Sequence, residues 1–249
     1  MNRPDRTWMH VAQTGSTNDD MKRMLRSPDA PPCPVLVAGR QTGGRGRVGR
    51  SFYSPDGGLY FSAAYPLPAD VPDPAPLTLL AGLAVCMELE ADCGDDGFSI
   101  KWPNDLFLNG KKLGGILTEL VSCPGGLCAV VGVGLNLSLD ARQVPAALAD
   151  TLTSLSIENK RIPPKEPLAR AIIQRLDRFV YYENALYGNA APFIARINAR
   201  SFLAGKTVFA DNAGTTVRGT VSGVSSDGAL IVDTVDGPRE IRYGEVKII

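Results

Sequence analysis

The chain has 249 residues, with 26 lysines and arginines balanced by 26 aspartates and glutamates, one histidine and 44% hydrophobic residues. That length allows one substantial core with a small appended unit, and zero net charge argues against a surface built for bulk binding to nucleic acid or membrane. Five cysteines without a Cys-x-x-Cys pair, and no apolar run of spanning or export-signal length, point to reduced thiols, no structural zinc and a cytoplasmic location.

From the N-terminus, Gly15-Ser16-Thr17-Asn18 precedes a segment in which Met21, Met24 and Leu25 fall at helical spacing. Ser16 or Thr17 is expected to cap this helix, with Asp19 and Asp20 in its positive first turn. A strand near Pro34 to Ala38 leads into Arg40 to Arg50, eleven residues with four arginines, four glycines and no acid. Glycines let backbone approach a ligand closely, and arginine forks match phosphate or carboxylate oxygens, so this loop is a local anion trap. Gly44, Gly46 and Gly49 also satisfy G-x-G-x-x-G. A dinucleotide fingerprint must open a helix, however, and here a Pro55-Asp56-Gly57-Gly58 turn and a β-type run follow. The His-Arg-Asp and Asp-Phe-Gly elements of a kinase are absent.

A strand near Gly58 to Tyr65 and a helix from about Pro76 to Asp92 come next. Strands follow around Phe98 to Lys101, Asp105 to Asn109, Leu113 to Val121 and Leu127 to Leu137, with Asn109-Gly110 as a tight hairpin turn. In Lys101-Trp102-Pro103-Asn104-Asp105 the proline interrupts pairing, which turns Asn104 and Asp105 toward a cleft; turn capping by Asp105 is the competing account. Gly114, Gly115, Gly132 and Gly134 interrupt β-type runs, as glycines do where a ligand or another backbone comes close. Asn136 lies on a buried strand, where its amide must find a ligand or core partners. A helical block runs from Lys165 to Tyr187 with Leu168, Ile172, Leu176 and Phe179 on one face, and another helix covers Ala190 to Leu203. Beyond Phe202, short β-type runs punctuated by Asn212-Ala213-Gly214, Asp227-Gly228 and Asp236-Gly237 describe a small barrel. The expected organisation is a mixed α+β core over residues 1–203 and a β unit over residues 204–249.

In order and spacing, Gly15 to Asn18, the arginine loop, Lys101 to Leu120 and Val130 to Ser138 closely resemble the biotin protein ligase family. The resemblance implies a mixed-sheet catalytic core of the class II synthetase-like, biotin–lipoate ligase type with an SH3-like C-terminal barrel. It also implies a two-step reaction. Biotin and MgATP give biotinyl-adenylate and pyrophosphate, and the biotinyl group then passes to a lysine of a biotin carboxyl carrier protein or domain of acetyl-CoA carboxylase or a related carboxylase. By resemblance Lys112 is the catalytic lysine, and Arg45 and Arg47 contact the carboxylate, phosphate and pyrophosphate regions. Ser16, Thr17, Asn18 and Gln41 line the biotin site, with Gly44 and Gly46 in the loop. Gly114, Gly115, Gly132 and Gly134 lie along the biotin ring system and adenylate, Asn136 meets the adenylate, and Asn104 and Asp105 flank ATP, with Asp105 as the Mg2+ contact. Lys111 is expected to be a solvated hairpin lysine, Arg40 and Arg50 have no assigned contact, and Phe52 stands where many members carry tryptophan.

Repressor members have an N-terminal DNA-binding helix-turn-helix ahead of this motif, for which the residues before Ser16 leave no room, so a monofunctional ligase with no nucleic-acid or membrane partner is expected. The family admits a homodimer, and no residue here decides for or against one. Two other readings compete: a lipoate-type ligase using the same adenylate chemistry, and a sensor that binds without transferring. Lys-Trp-Pro-Asn-Asp and Gly-Arg-Gly-Arg favour biotin over lipoate, and the full set Arg45, Arg47 and Lys112 argues against a binder that performs no chemistry.

Overall fold

Seven strands make one mixed sheet in the computed structural model, which describes residues 4–67, 76–94, 97–186, 190–212 and 214–249. Tyr187 and Ala213, part of an expected helix and an expected turn, lie outside the described residues. The strands are β1 (Trp8–Thr14), β2 (Val35–Gln41), β3 (Leu59–Leu67), β4 (Phe98–Lys101), β5 (Asp105–Leu108), β6 (Lys111–Cys123) and β7 (Gly126–Leu135), in the order β1-β2-β3-β7-β6-β5-β4. β1 and β2 run parallel and the other neighbours antiparallel. Asn109 and Gly110 both take positive φ, 50° and 82°, as a two-residue hairpin turn between β5 and β6 requires.

Period-two alternation gives this sheet two faces. On one, Phe61, Ala63 and Tyr65 of β3 and Val131, Val133 and Leu135 of β7 pack in the main core with α2 (Pro76–Cys93) and α3 (Lys165–Asp177). Leu168, Ile172 and Leu176 of α3 are buried as their spacing predicts, and Phe179 continues the stripe in a π-helical turn over Arg178–Tyr182. On the other face, Met21 and Leu25 of α1 (Thr17–Leu25) pack on Leu36, Ala64, Val121 and Val130. Beyond the N-terminus of α1 the same face carries Gly132 and Gly134, and there the functional cavity opens.

β1 has no counterpart among the sequence expectations. It is an edge strand exposed from His10 to Gln13, so the apolar alternation that marks a half-buried strand is missing. α4 spans Ala191–Asn198 and stops short of Leu203, because the following backbone pairs with β4 instead: Ser201 bridges Ile100, and the Phe202 amide donates to the Ile100 carbonyl at 2.9 Å.

The C-terminal strands β8 (Thr207–Asn212), β9 (Thr215–Val224), β10 (Leu230–Thr234), β11 (Gly237–Ile241) and β12 (Val246–Ile248) form an antiparallel sheet whose ladder has β11 and β12 at its two ends. Its inner side chains, among them Val208, Val221, Leu230 and Ile241, join the main core. Trp102 fastens it further by donating its indole N–H to the Gly228 carbonyl at 2.9 Å. Among the described residues no helix is long and apolar enough to cross a membrane.

Just ahead of β1, Arg6 is 4% exposed and pairs with the fully buried Asp177 at 2.5 Å; it also donates to the Ala64 carbonyl at 2.7 Å and lies 4.3 Å over the Tyr65 ring. Burial opposes its charge, but Tyr65 and Asp177 outweigh that and hold the guanidinium above its ordinary value.

Burial pushes the thiols of Cys86 and Cys128 up to about 12, whereas Cys33, Cys93 and Cys123 are half-buried. At about pH 8 only about one part in 10⁴ of the former would be thiolate, the reactive form. Iodoacetamide is therefore expected to spare Cys86 and Cys128 in the native protein and to label them after denaturation, which peptide mass spectrometry will read.

Candidate functional site

Ser16 takes an extended backbone and accepts the Asp19 amide at 3.4 Å, which makes it the cap of α1. Ser16, Thr17 and Asn18 are all buried polar residues, so their side chains need partners. The Thr17 amide and hydroxyl both donate to Gln41 Oε1, at 2.8 and 3.1 Å, and Gln41 Nε2 donates to Ser54 Oγ at 3.0 Å. Asn18 Nδ2 donates to the Leu117 carbonyl at 3.1 Å and to Glu119 Oε2 at 2.9 Å, while its Oδ1 faces the Ser62 hydroxyl at 2.6 Å. One end of the cavity is thus a fixed polar wall that is also a helix start.

Its floor lacks Cβ atoms. Gly132 and Gly134 are two apart on β7, and Gly134 pairs with Gly115 of β6, so all three share a face. A Cβ on Gly134 would lie 2.6 Å from Phe52 Cε1, and one on Gly132 would run into the Asn18 amide. Strict alternation back from Gly115 would put Leu113 on this floor and send Lys112 into the helix-packed core. A one-residue register shift prevents that. Gly115 pairs with Asp105 and Lys112 with Phe107, which leaves Leu113 as the extra residue of a bulge. Lys112, Asp105 and Gly115 therefore share the floor face while Leu113 is wholly buried. Lys112 Nζ lies 2.7 Å from Asp105 Oδ1 and 5.9 Å from the Phe52 ring centroid.

The arginine loop forms a small hairpin over the floor. The Phe52 amide donates to the Gly44 carbonyl at 2.8 Å, Arg45 bridges Ser51, and the Gly46 amide donates to the Arg50 carbonyl at 2.7 Å. At its tip Val48 is 84% exposed with φ 53° and ψ 40°, a left-handed conformation that costs a β-branched residue on the order of 1–2 kcal/mol. Arg45 Nε is 2.6 Å from Asp19 Oδ2. Arg47 is drawn below its ordinary value by burial, an effect that Asp105 and Glu245 oppose. Arg50 pairs with Glu245, and Arg40 donates to Gln13 at 2.7 Å. Gly244, Glu245 and Val246 of the C-terminal sheet complete the wall.

Of the residues singled out in the sequence, Ser16, Thr17, Asn18, Gln41, Arg45, Gly46, Arg47, Asn104, Asp105, Lys112, Gly115 and Gly132 line one cavity of about 190 Å³. Gly44, Gly114 and Asn136 lie outside that lining. Gly44 anchors the hairpin, and a Cβ on Gly114 would collide with the Gly134 carbonyl. Asn136 sits behind Lys112. Its Nδ2 donates to the Thr153 carbonyl at 3.0 Å, its buried Oδ1 has no partner among the described residues, and Thr153 in turn donates its amide to the Lys112 carbonyl at 2.9 Å. The Asn104 amide is turned inward and donates to the Ile116 carbonyl at 2.9 Å, which leaves Asp105 as the neighbouring carboxylate in the cavity. Lys111 is exposed, as expected. Glu245 and its neighbours had no sequence signal, because about two hundred residues separate them from the loop they meet. Among the described residues no group of three or more His, Cys, Asp or Glu side chains is arranged to hold a metal ion.

Electrostatically, five cations line the cavity, Arg45, Arg47, Arg50, Lys101 and Lys112, and four of them lie near carboxylates: Arg45 with Asp19, Lys112 with Asp105, Arg50 with Glu245, and Arg47 near Asp105 and Glu245. These cations can hold an anionic ligand, and the glycine floor leaves room for a flat group.

Comparison with known proteins gives a match to the biotin/lipoate A/B protein ligase family over residues 11–136 and to the biotin protein ligase C terminal domain over residues 205–248. The biotin–[acetyl-CoA-carboxylase] ligase of Mycobacterium tuberculosis is 33% identical over 247 residues, 95% of this chain and 86% of that protein. The bifunctional ligase/repressor BirA of Bacillus spizizenii is 30% identical over 228 residues, 90% of this chain and 69% of that protein. Among solved structures, biotin protein ligase from Aquifex aeolicus in complex with biotin and ATP matches with a TM-score of 0.82 at 28% identity, over 98% of each chain.

Proposed function

Since the chain belongs to the biotin/lipoate A/B protein ligase family, we propose that it activates biotin with ATP and then transfers the biotinyl group to a lysine of a biotin carboxyl carrier protein or domain. The observation that carries this reading is the convergence of Arg45, Arg47 and Lys112 with the Ser16-Thr17-Asn18 wall on one cavity with a glycine floor. In the first step a biotin carboxylate oxygen attacks the α-phosphorus of ATP, the bond to the bridging oxygen breaks, and pyrophosphate leaves. Two anions must meet, so positive charge aimed at the developing negative charge is the main requirement. The Lys112 ammonium spans the carboxylate and the α-phosphate, while Arg45 and Arg47 take the phosphate and pyrophosphate oxygens. Ser16, Thr17, Asn18 and Gln41 bind the polar end of biotin, and Gly115, Gly132 and Gly134 let its ring system lie flat on the sheet. Asp105, released from Lys112 as the anions arrive, suits a Mg2+ that enters with ATP, since that ion keeps several waters and needs few protein oxygens. In the second step the carrier lysine's neutral amine attacks the acyl carbon of biotinyl-adenylate, and AMP leaves. Residues 1–203 form the catalytic domain, and residues 204–249 add the module that closes one side of it.

The test is exchange of labelled pyrophosphate into ATP, a reversal of the first step that needs no carrier. Exchange is expected with biotin and not with lipoate. Folded protein that exchanges with lipoate alone would shift the substrate, and exchange with neither would overturn the reading.

A further inference from the structure

We infer that Asp19 is a positioning residue that presets Arg45 for the incoming phosphate, an assignment that rests on the ligase reading above. Arg45 is 57% exposed on a glycine-rich hairpin, so without a tether its long side chain would sample many rotamers. The ion pair makes its closest approach at Nε, at 2.6 Å, and Arg45 also lines the cavity, where its terminal nitrogens are the part of the fork that would grip two anion oxygens. Asp19 is itself held. Its Oδ1 meets Lys22 Nζ at 3.1 Å, Lys22 meets Glu119 Oε1 at 2.6 Å, and Glu119 Oε2 accepts Asn18 Nδ2 at 2.9 Å. One charged relay therefore joins two parts of the cavity wall, the arginine hairpin and the start of α1. The N-cap of α1 is supplied by Ser16 Oγ, which leaves the Asp19 carboxylate free for Arg45 and Lys22. At 33% exposure Asp19 can be removed without stranding a buried charge, because Lys22 keeps Glu119.

The experiment is a double-mutant cycle between Asp19→Ala and Arg45→Ala, read in biotin-dependent pyrophosphate exchange and in calorimetric affinity for biotinyl-adenylate. Asp19→Ala alone is expected to lower kcat about tenfold with the KM for biotin nearly unchanged, to leave the melting temperature unchanged, and to cost nothing further in the Arg45→Ala background. Asp19→Glu should recover part of the rate and the isosteric Asp19→Asn should not. Wild-type rates in Asp19→Ala, losses that multiply independently of Arg45, or a loss of rate equal in Asp19→Glu and Asp19→Ala would overturn the assignment. If the unsubstituted protein shows no biotin-dependent exchange, the ligase reading falls first and this assignment falls with it.

Discussion

Lys112→Ala is expected to slow biotin-dependent pyrophosphate exchange by about 10²–10³-fold, the usual effect of deleting one preorganised donor at a developing charge. The effect should fall on chemistry and not on folding. Lys112 is 36% exposed, and the Asp105 it leaves behind is 26% exposed, so solvent can take over the unpaired carboxylate. The bulge that aims Lys112 at the floor is a backbone feature with Leu113 packed beneath it, and alanine preserves both. Lys112→Arg should rescue little, because a planar fork cannot occupy the space of a compact ammonium between Asp105 and the Phe52 ring. Exchange kinetics with a circular dichroism melt will check both halves. Activity within about threefold of the unsubstituted protein would remove Lys112 from the reaction.

Arg6→Ala should have the largest effect on stability, about 3–5 kcal/mol, because it leaves Asp177 fully buried without its cation. The substitution also strips the Ala64 carbonyl of a donor and the Tyr65 ring of its stacked guanidinium. Removing both charges with Arg6→Leu and Asp177→Leu should cost less than Arg6→Ala alone, since no charge is then stranded. Urea unfolding midpoints with their slopes will decide it. A single-variant loss below about 1 kcal/mol would mean that water reaches Asp177.

The parts of this molecule legible from sequence are those whose signal is local. Ser16 followed by Met21, Met24 and Leu25 announces a capped amphipathic helix and Asn109-Gly110 announces a hairpin, and both stand where expected; the crowding of Arg45 and Arg47 among glycines announces an anion site, and the two arginines line the cavity. What stayed hidden depends on distant partners. β1 exists because β2 offers it an edge, and α4 ends because the backbone beyond it pairs with Ile100, whose amide donates to the Arg200 carbonyl and whose carbonyl accepts the Phe202 amide. The orientation of Lys112 depends on a shift of register that no count along the chain contains, although Gly114-Gly115 is the kind of dipeptide at which strands deform. Asn136 shows the opposite case. Its burial was foreseen, yet its nitrogen is spent on Thr153 and it lies behind the cavity wall.

The wall formed by Gly244, Glu245 and Val246 sets a timing for biosynthesis. Ribosomes deliver a chain in sequence order, so the strands of the floor and the arginine hairpin emerge more than a hundred residues before the segment that encloses them. At about 5–20 residues per second, a nascent chain spends on the order of 10–40 s with its cationic hairpin lacking Glu245. During that interval the four arginines of the hairpin lack one counter-charge, which arrives only with the last sheet.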